Sequence, residues 1–261
     1  MKTRQLLFAI LFIMSSVSFA QAPETGRWQD FGVSSEEVNH QTASRYHEQL
    51  RELAHAGQLD TDRALLKRVH RVSTGLIRAA RQLRPDSLTW HWEMHVTSQP
   101  DTEAFCMAGG KILVGSRFVR NLHLSDGELA TLLGHEMAHA IAEHHREELS
   151  EALHIQPQKN LPVDVLIERV DTDLSVRIKL AWLSYMQEEE ADQIGMVLTH
   201  LSGWPAKDML GFYRKLEANS PRILISSSYP ALHTRSSMAE AYQRLWGGQN
   251  EQPTTSPIKH P

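Results

Sequence analysis

The length and composition of this chain set the first limits on its function. It has 261 residues, of which 41% are hydrophobic, enough for one globular domain with its own core. The formal net charge of −4 argues against nucleic acid as a partner, because nucleic-acid-binding domains usually carry an excess of Lys and Arg. Cys106 is the only cysteine, so no disulfide can form within the chain.

The first twenty residues have the pattern of a cleavable signal peptide. Lys2 and Arg4 precede an apolar run over residues 6–14, and small residues stand at Ser18 and Ala20. The run is shorter than the roughly 20 apolar residues that cross a bilayer. We therefore predict that residues 1–20 are removed on export to the periplasm, which changes the formal charge from −4 to −6.

The rest of the chain is predicted to be mainly helical, with one small sheet. Alternating apolar residues predict a strand over 90–96, and two short strands flank Gly109 and Gly110. Residues 147–162 lack a periodic pattern and are predicted to form a loop. Helices are predicted over 36–56, 62–83, 121–145, 163–201 with a break, 206–218 and 235–246. These elements indicate an α+β fold.

The helix predicted over 121–145 contains the main functional motif. His135, Glu136 and His139 form the pattern HExxH. Residues four apart lie on one face of a helix, so both imidazoles point at one place. This pattern is typical of zinc enzymes in which the two histidines bind the metal and the glutamate activates a water molecule.

A catalytic zinc ion needs a third protein ligand beside an open position for water. His145 stands where the metzincin pattern has its last histidine, but Ala142 replaces the required glycine. Ten helical residues also place His145 about 80° around the helix from His135. The other candidate is Glu188, in an acidic stretch that could also be merely solvated. Asp192 follows Glu188 by one helical turn and could accept a hydrogen bond from a ligand histidine.

HExxH followed at a distance by ExxxD resembles the zinc metallopeptidase family of CAAX prenyl proteases, HtpX-like proteases and soluble periplasmic BepA-type proteins. The likeness covers residues 40–246 and includes a strand from Ala104 to Gly110, where Glu103 replaces the usual asparagine. His144 is interpreted as a structural hydrogen-bonding residue. The resemblance implies a zincin-like metallopeptidase domain, with the small sheet beside the HExxH helix.

The same resemblance implies one zinc ion per chain and a set of site residues. His135, His139 and Glu188 would bind the metal, and Glu136 would be the general base. Asp192 would support a ligand histidine from behind. We divide the chain accordingly into a signal peptide (1–20), an N-terminal extension (21–35), the metallopeptidase domain (36–246) and a disordered tail (247–261).

The C-terminal part departs from the family in one residue. The family has a His-Pro step before an arginine, whereas Tyr229 precedes Pro230 and Arg235 here. By the resemblance, Tyr229 or nearby His233 would hydrogen-bond the oxyanion of the transition state. The loop over 219–235 could also cover the metal and keep the enzyme latent.

These observations predict an exported zinc-dependent metalloendopeptidase. By the family resemblance, its substrates would be unfolded or misassembled envelope proteins, and its role would be protein quality control in association with the envelope assembly machinery. The alternative is a latent zinc-binding chaperone or assembly factor with little proteolysis. A third interpretation is a noncatalytic helical domain with coincidental histidines, which would bind no stoichiometric metal.

Overall fold

The computed structural model describes residues 18–22, 26–157, 161–219 and 232–246, without the side chains of 18–20, 232 and 233. The strands in this part are β1 (Ser18–Gln21), β2 (Trp28–Phe31), β3 (Glu93–Thr97), β4 (Ala104–Met107) and β5 (Lys111–Gly115). The helices are α1 (Ser35–His55), α2 (Arg63–Leu83), α3 (Ser116–Asn121), α4 (Asp126–Ile141), α5 (His144–Ile155), α6 (Val163–Thr172), α7 (Leu174–Leu201), α8 (Ala206–Asn219) and α9 (Leu232–Trp246). The predicted α+β class is confirmed.

Helix α4 lies at the centre of the domain and packs against α7, α2, α8 and strand β4. Its apolar side chains are buried in the largest hydrophobic cluster, together with residues from the sheet and from the packed helices. Leu129, Leu133 and Met137 have no exposed surface. The motif helix is therefore held from several sides, which fixes the direction of its functional side chains.

The small sheet has three strands in the order β3–β5–β4. β5 is parallel to β3 and antiparallel to β4, so β4 is an edge strand among the described residues. The turn between β4 and β5 has positive φ angles of 75° at Gly109 and 80° at Gly110, which glycine adopts without strain. The strand predicted over 90–96 begins at Glu93, where its pairing with Lys111 of β5 starts.

The single helix predicted over 121–145 is wrong at both ends. Ser125 caps α4, because its side chain accepts a hydrogen bond from the Glu128 amide while the Glu128 carboxylate accepts one from the Ser125 amide. This capping box begins the helix at Asp126. At the other end Glu143 adopts a left-handed conformation with φ of 54°, which separates α4 from α5.

The loop predicted over 147–162 is also wrong for most of its length, because α5 continues to Ile155. Leu149 and Ala152 of this helix are fully buried in a second cluster with Leu166 of α6 and Leu180 of α7. The apolar residues of α5 are too few to show a clear period, so contacts with neighbouring helices, rather than local pattern, stabilise it.

The segment before α1 packs on the domain. Phe31 of β2 is buried, and the guanidinium of Arg146 lies over its ring at 3.9 Å. Strand β1 spans the predicted signal-peptide cleavage site, while residues 1–17 and 247–261 lie outside the described residues. The predicted division into domains therefore stays a prediction. Among the described helices, none has both the length and the apolar character that crossing a membrane requires.

The contact between α4 and α7 depends on Gly195. A Cβ atom at this position would lie 2.8 Å from the Cα of His135, so we expect Gly195→Ala to push the helices apart and to lower the free energy of unfolding by about 1–3 kcal/mol. Urea denaturation measures this loss. Gly32→Ala is the control, because its Cβ would meet only Leu153 Cδ1, at 3.7 Å. Equal stability of Gly195→Ala and the wild type would contradict this account of the contact.

Candidate metal centre

Three side chains from two helices converge beside the centre of α4. His135 and His139 lie one turn apart on α4, with their Nε2 atoms separated by 3.3 Å. Glu188 of α7 places Oε2 at 3.4 Å from Nε2 of His135 and Oε1 at 3.6 Å from Nε2 of His139. The three ligand atoms lie within 4.8 Å of one another. In the described part of the chain, this is the one group of three or more His, Cys, Asp or Glu residues placed to hold a metal ion.

The electrostatics of this group fit a cation. Oε2 of Glu188 is buried without a hydrogen-bond partner. Burial alone would lower the pKa of His135, but the hydrogen bond to Asp192 and the negative charges of Asp192 and Glu188 raise it to about 10. Burial and the charge of His135 hold the pKa of His139 well below its usual range. Without a metal, the raised pKa of His135 thus favours one bound proton at this site. The two nitrogens of the histidines and one oxygen of Glu188 form a ligand set typical of zinc.

His135 is held from behind by Asp192. Nδ1 of His135 lies 2.8 Å from Oδ1 of Asp192, the carboxylate that the ExxxD spacing predicts as its support. Arg235 of α9 donates two hydrogen bonds of 2.6 Å to this carboxylate, and the hydroxyl of Tyr213 donates a third, of 2.8 Å. Burial would raise the pKa of Asp192, but His135 and Arg235 lower it. Asp192 therefore stays ionised and can fix the ring of His135.

His139 is supported by a different chain of side chains. Its Nδ1 lies 2.9 Å from Nδ1 of His144, and Nε2 of His144 lies 3.1 Å from Oε2 of Glu190. Glu190 in turn accepts hydrogen bonds from Arg27. The interpretation of His144 as a structural hydrogen-bonding residue agrees with these contacts. Arg27 and Glu190 are not indicated by the sequence, because no local pattern connects residues 163 positions apart.

Glu136 faces a cleft of about 430 Å³ between α4, β4 and neighbouring helices. The cleft wall includes the three candidate ligands together with Glu103, Phe212 and Arg235. His145 also borders the cleft, but its Nδ1 lies 3.8 Å from Oε2 of Glu148 and it is not part of the ligand group. The arrangement therefore favours Glu188 over His145 as the third ligand.

The two residues predicted to stabilise the oxyanion cannot be placed. Tyr229 lies outside the described residues. His233 belongs to the first turn of α9, but its side chain is outside the description. The role given to either residue stays a prediction. Arg235, two residues after His233, is the part of this family pattern that the structure does bring to the site.

Curated relatives of this chain are metalloendopeptidases. It is 34% identical over 126 residues to the "Mitochondrial metalloendopeptidase OMA1" of Arabidopsis thaliana, which covers 48% of this chain and 26% of the relative. The protein of the same name from Schizosaccharomyces pombe is 30% identical, over 41% of this chain and 32% of the relative. That from Saccharomyces cerevisiae is 41% identical, over 23% of this chain and 18% of the relative. The matches thus span a third or less of each relative.

The predicted periplasmic location is wrong. The curated relatives from plants, yeasts and cattle are all named as mitochondrial proteins, and they give no support to a signal peptide. The prediction depended on a positively charged start followed by an apolar run. That pattern does not establish which compartment a protein enters, because several kinds of targeting segment combine basic and apolar residues.

The family assignment depends on a longer match than any of these relatives provides. The model of "Peptidase family M48" matches residues 64–243, more than half of the chain, and this range contains both motif helices. Its members are zinc metallopeptidases, so the predicted family and the predicted zinc cofactor are confirmed. The chain belongs to peptidase family M48.

Proposed function

We propose that this chain is a zinc-dependent endopeptidase that cleaves extended segments of unfolded proteins. In this proposal His135, His139 and Glu188 hold the zinc ion, and Glu136 is the general base. The observation that carries the proposal is the convergence of the three ligand atoms within 4.8 Å of one another, on a cleft that Glu136 also lines. The names of the relatives support cleavage within a chain.

In the metal-free protein the pKa of Glu136 lies near neutral pH. Burial, reinforced by the charge of Glu188, raises its pKa to about 7, although His135 and Arg235 act in the opposite direction. When bound, a zinc ion supplies Lewis-acid chemistry, which activates water and polarises a carbonyl group. Glu136 would accept the proton of that water and deliver it to the leaving amine.

Strand β4 supports the choice of an extended substrate. It borders the cleft beside α4 and pairs with β5 along one side only among the described residues. An extended peptide can add to such an edge through main-chain hydrogen bonds, which recognise little of its sequence. Unfolded segments present their main chain in this way, so we propose unfolded proteins as the substrate class. Envelope proteins are not part of this proposal, because the predicted periplasmic location is wrong.

The central test compares the wild type with Glu136→Gln in the zinc-loaded full chain. We expect both proteins to bind one zinc ion, because Glu136 is not a proposed ligand. The variant should cleave a labelled unfolded protein about 10²–10⁴-fold more slowly, since it lacks the base. Equal rates would refute the role of Glu136. Bound zinc without cleavage by either protein would favour the latent zinc-binding chaperone.

Tyr229 and His233 are proposed donors to the oxyanion. We expect Tyr229→Phe or His233→Ala to lower kcat by about 10²–10³-fold with little change in KM, because an oxyanion donor acts mainly in the transition state. Steady-state cleavage of a peptide substrate measures both constants. If neither variant changes kcat by more than a few-fold, another group stabilises the oxyanion.

Glu136 should also make the stability of the metal-free protein depend on pH. Because its pKa is about 7 in the folded protein and 4.5 in the ordinary carboxyl group, the unfolded chain releases this proton at lower pH than the folded chain. Glu136 therefore lowers the free energy of unfolding progressively from pH 4.5 to 7, and the penalty stays constant above pH 7.

Glu136→Gln removes this penalty. In the presence of a metal chelator, we expect the free energy of unfolding of the variant to be higher than that of the wild type by about 1–3 kcal/mol at pH 7.5 and by much less at pH 5. Urea denaturation at the two pH values measures the difference. Glu240→Gln, at a surface position of α9, is the matched control and should show no comparable gain. A gain that is the same at both pH values would contradict this pKa of Glu136.

A further inference from the structure

We propose that Arg27 is a positioning residue for the metal centre and acts on His139 through Glu190 and His144. The inference rests on the proposed role of His139 as a zinc ligand. Arg27 precedes β2 and lies outside residues 64–243, the range of the family match. The proposal therefore extends the metal centre to a segment that the family model does not cover.

Arg27 joins two helices behind the site. Its Nε and Nη2 donate hydrogen bonds of 2.9 and 2.6 Å to Oε2 of Glu190 on α7. Its Nη1 and Nη2 donate to both carboxylate oxygens of Glu147 on α5, at 2.5 and 2.7 Å. The side chains of Glu147 and Glu190 are only 8% and 4% exposed. One guanidinium thus donates hydrogen bonds to two buried carboxylates and neutralises part of their charge, which would otherwise be costly to bury.

The segment around Arg27 is fixed by further contacts. Gln29 donates hydrogen bonds to the carbonyl of Ala142, at 2.7 Å, and to Oε2 of Glu147, at 3.1 Å. Ala142 is the C-cap residue of α4, directly after the turn that contains His139. The N-terminal segment therefore contacts both the backbone at the end of the motif helix and the carboxylates behind it.

The hydrogen bonds from Arg27 to Glu190 favour one placement of the protons on His144 and His139 when both histidines are neutral. Glu190 accepts hydrogen bonds only, so the nitrogen of His144 that faces it must carry a proton. When His144 is neutral, its other nitrogen, Nδ1, is then an acceptor. In that form His139 donates its Nδ1 proton to this acceptor across 2.9 Å. Nε2 of His139 is left with a lone pair directed at the metal position, the state that ligation requires.

Loss of Arg27 would remove this constraint. Glu190 would lose its cationic partner within a buried environment, and His144 could place its proton on Nδ1 instead. His139 would then carry its proton on Nε2, the atom that should bind zinc. Zinc binding would first have to reverse this arrangement, which lowers affinity without removing any ligand.

The test measures zinc affinity of the full chain by competition with a chromophoric chelator. We expect His144→Phe to weaken zinc binding by about 10–100-fold, the usual effect of removing a partner of a metal-bound histidine. Arg27→Ala should weaken it by no more than this, because Arg27 acts through His144. Arg27→Lys keeps a cation and should recover part of the loss. Arg120→Ala removes a surface arginine that pairs with Asp62 at 2.9 Å and should bind zinc as the wild type does.

A double-mutant cycle separates positioning from general damage to the fold. If Arg27 acts through His144, the double variant Arg27→Ala/His144→Phe should bind zinc no more weakly than the weaker single variant. Losses that multiply would mean independent effects and would overturn the proposal. If Arg27→Ala does not fold, Arg27→Lys replaces it in the cycle.

His139→Ala distinguishes failure of this inference from failure of the proposed site. If it loses zinc while Arg27→Ala and His144→Phe bind zinc normally, the ligand set stands and the positioning role is refuted. If His139→Ala binds zinc as tightly as the wild type, His139 is not a ligand, and both proposals fall together.

Discussion

The close approach of α7 to α4 at Gly195 is the constraint on which the metal centre depends. Because Gly195 has no side chain, the backbone of α7 lies directly against His135. Glu188 and Asp192 share nearly the same face of α7 as Gly195. They consequently reach the two nitrogens of one imidazole, Glu188 at 3.4 Å from Nε2 and Asp192 at 2.8 Å from Nδ1. The crossing of α7 over α4 thus places both Glu188, a candidate ligand, and Asp192, which supports the candidate ligand His135.

Buried charge is balanced separately behind each histidine. Arg235 pairs with Asp192, which contacts His135. Arg27 pairs with Glu190, which is connected to His139 through His144. Each arginine comes from a part of the chain remote from α4, one near either end of the described residues. The carboxylates can stay ionised because each has a cation and several hydrogen bonds. Residues near both ends of the described part of the chain therefore contribute to the electrostatics of the same centre.

The parts of this centre that the sequence predicts lie close together in the chain, whereas the parts that it does not predict depend on contacts between distant residues. HExxH and ExxxD are spacings within single helices, so the sequence indicates which side chains share a face. The boundary at Glu143 and the helix α5 depend on tertiary contacts, which a weak local period does not show. Arg27 and Arg235 pair with residues 163 and 43 positions away. Only Arg235 had a family pattern to indicate it, and that pattern did not reveal its partner.

The carboxylates of Asp192 and Glu188, which favour zinc binding, also favour protonation of His135 in the metal-free state. The pKa of His135 is raised to about 10, so this imidazole holds a proton where Glu188 and His139 converge. That proton must leave before His135 can become a ligand, which couples zinc binding to proton release. A bound zinc ion would replace the positive charge that the departing proton removes, and it would also provide a partner for the buried Oε2 of Glu188. Metal binding should therefore contribute directly to the stability of the contact between α4 and α7.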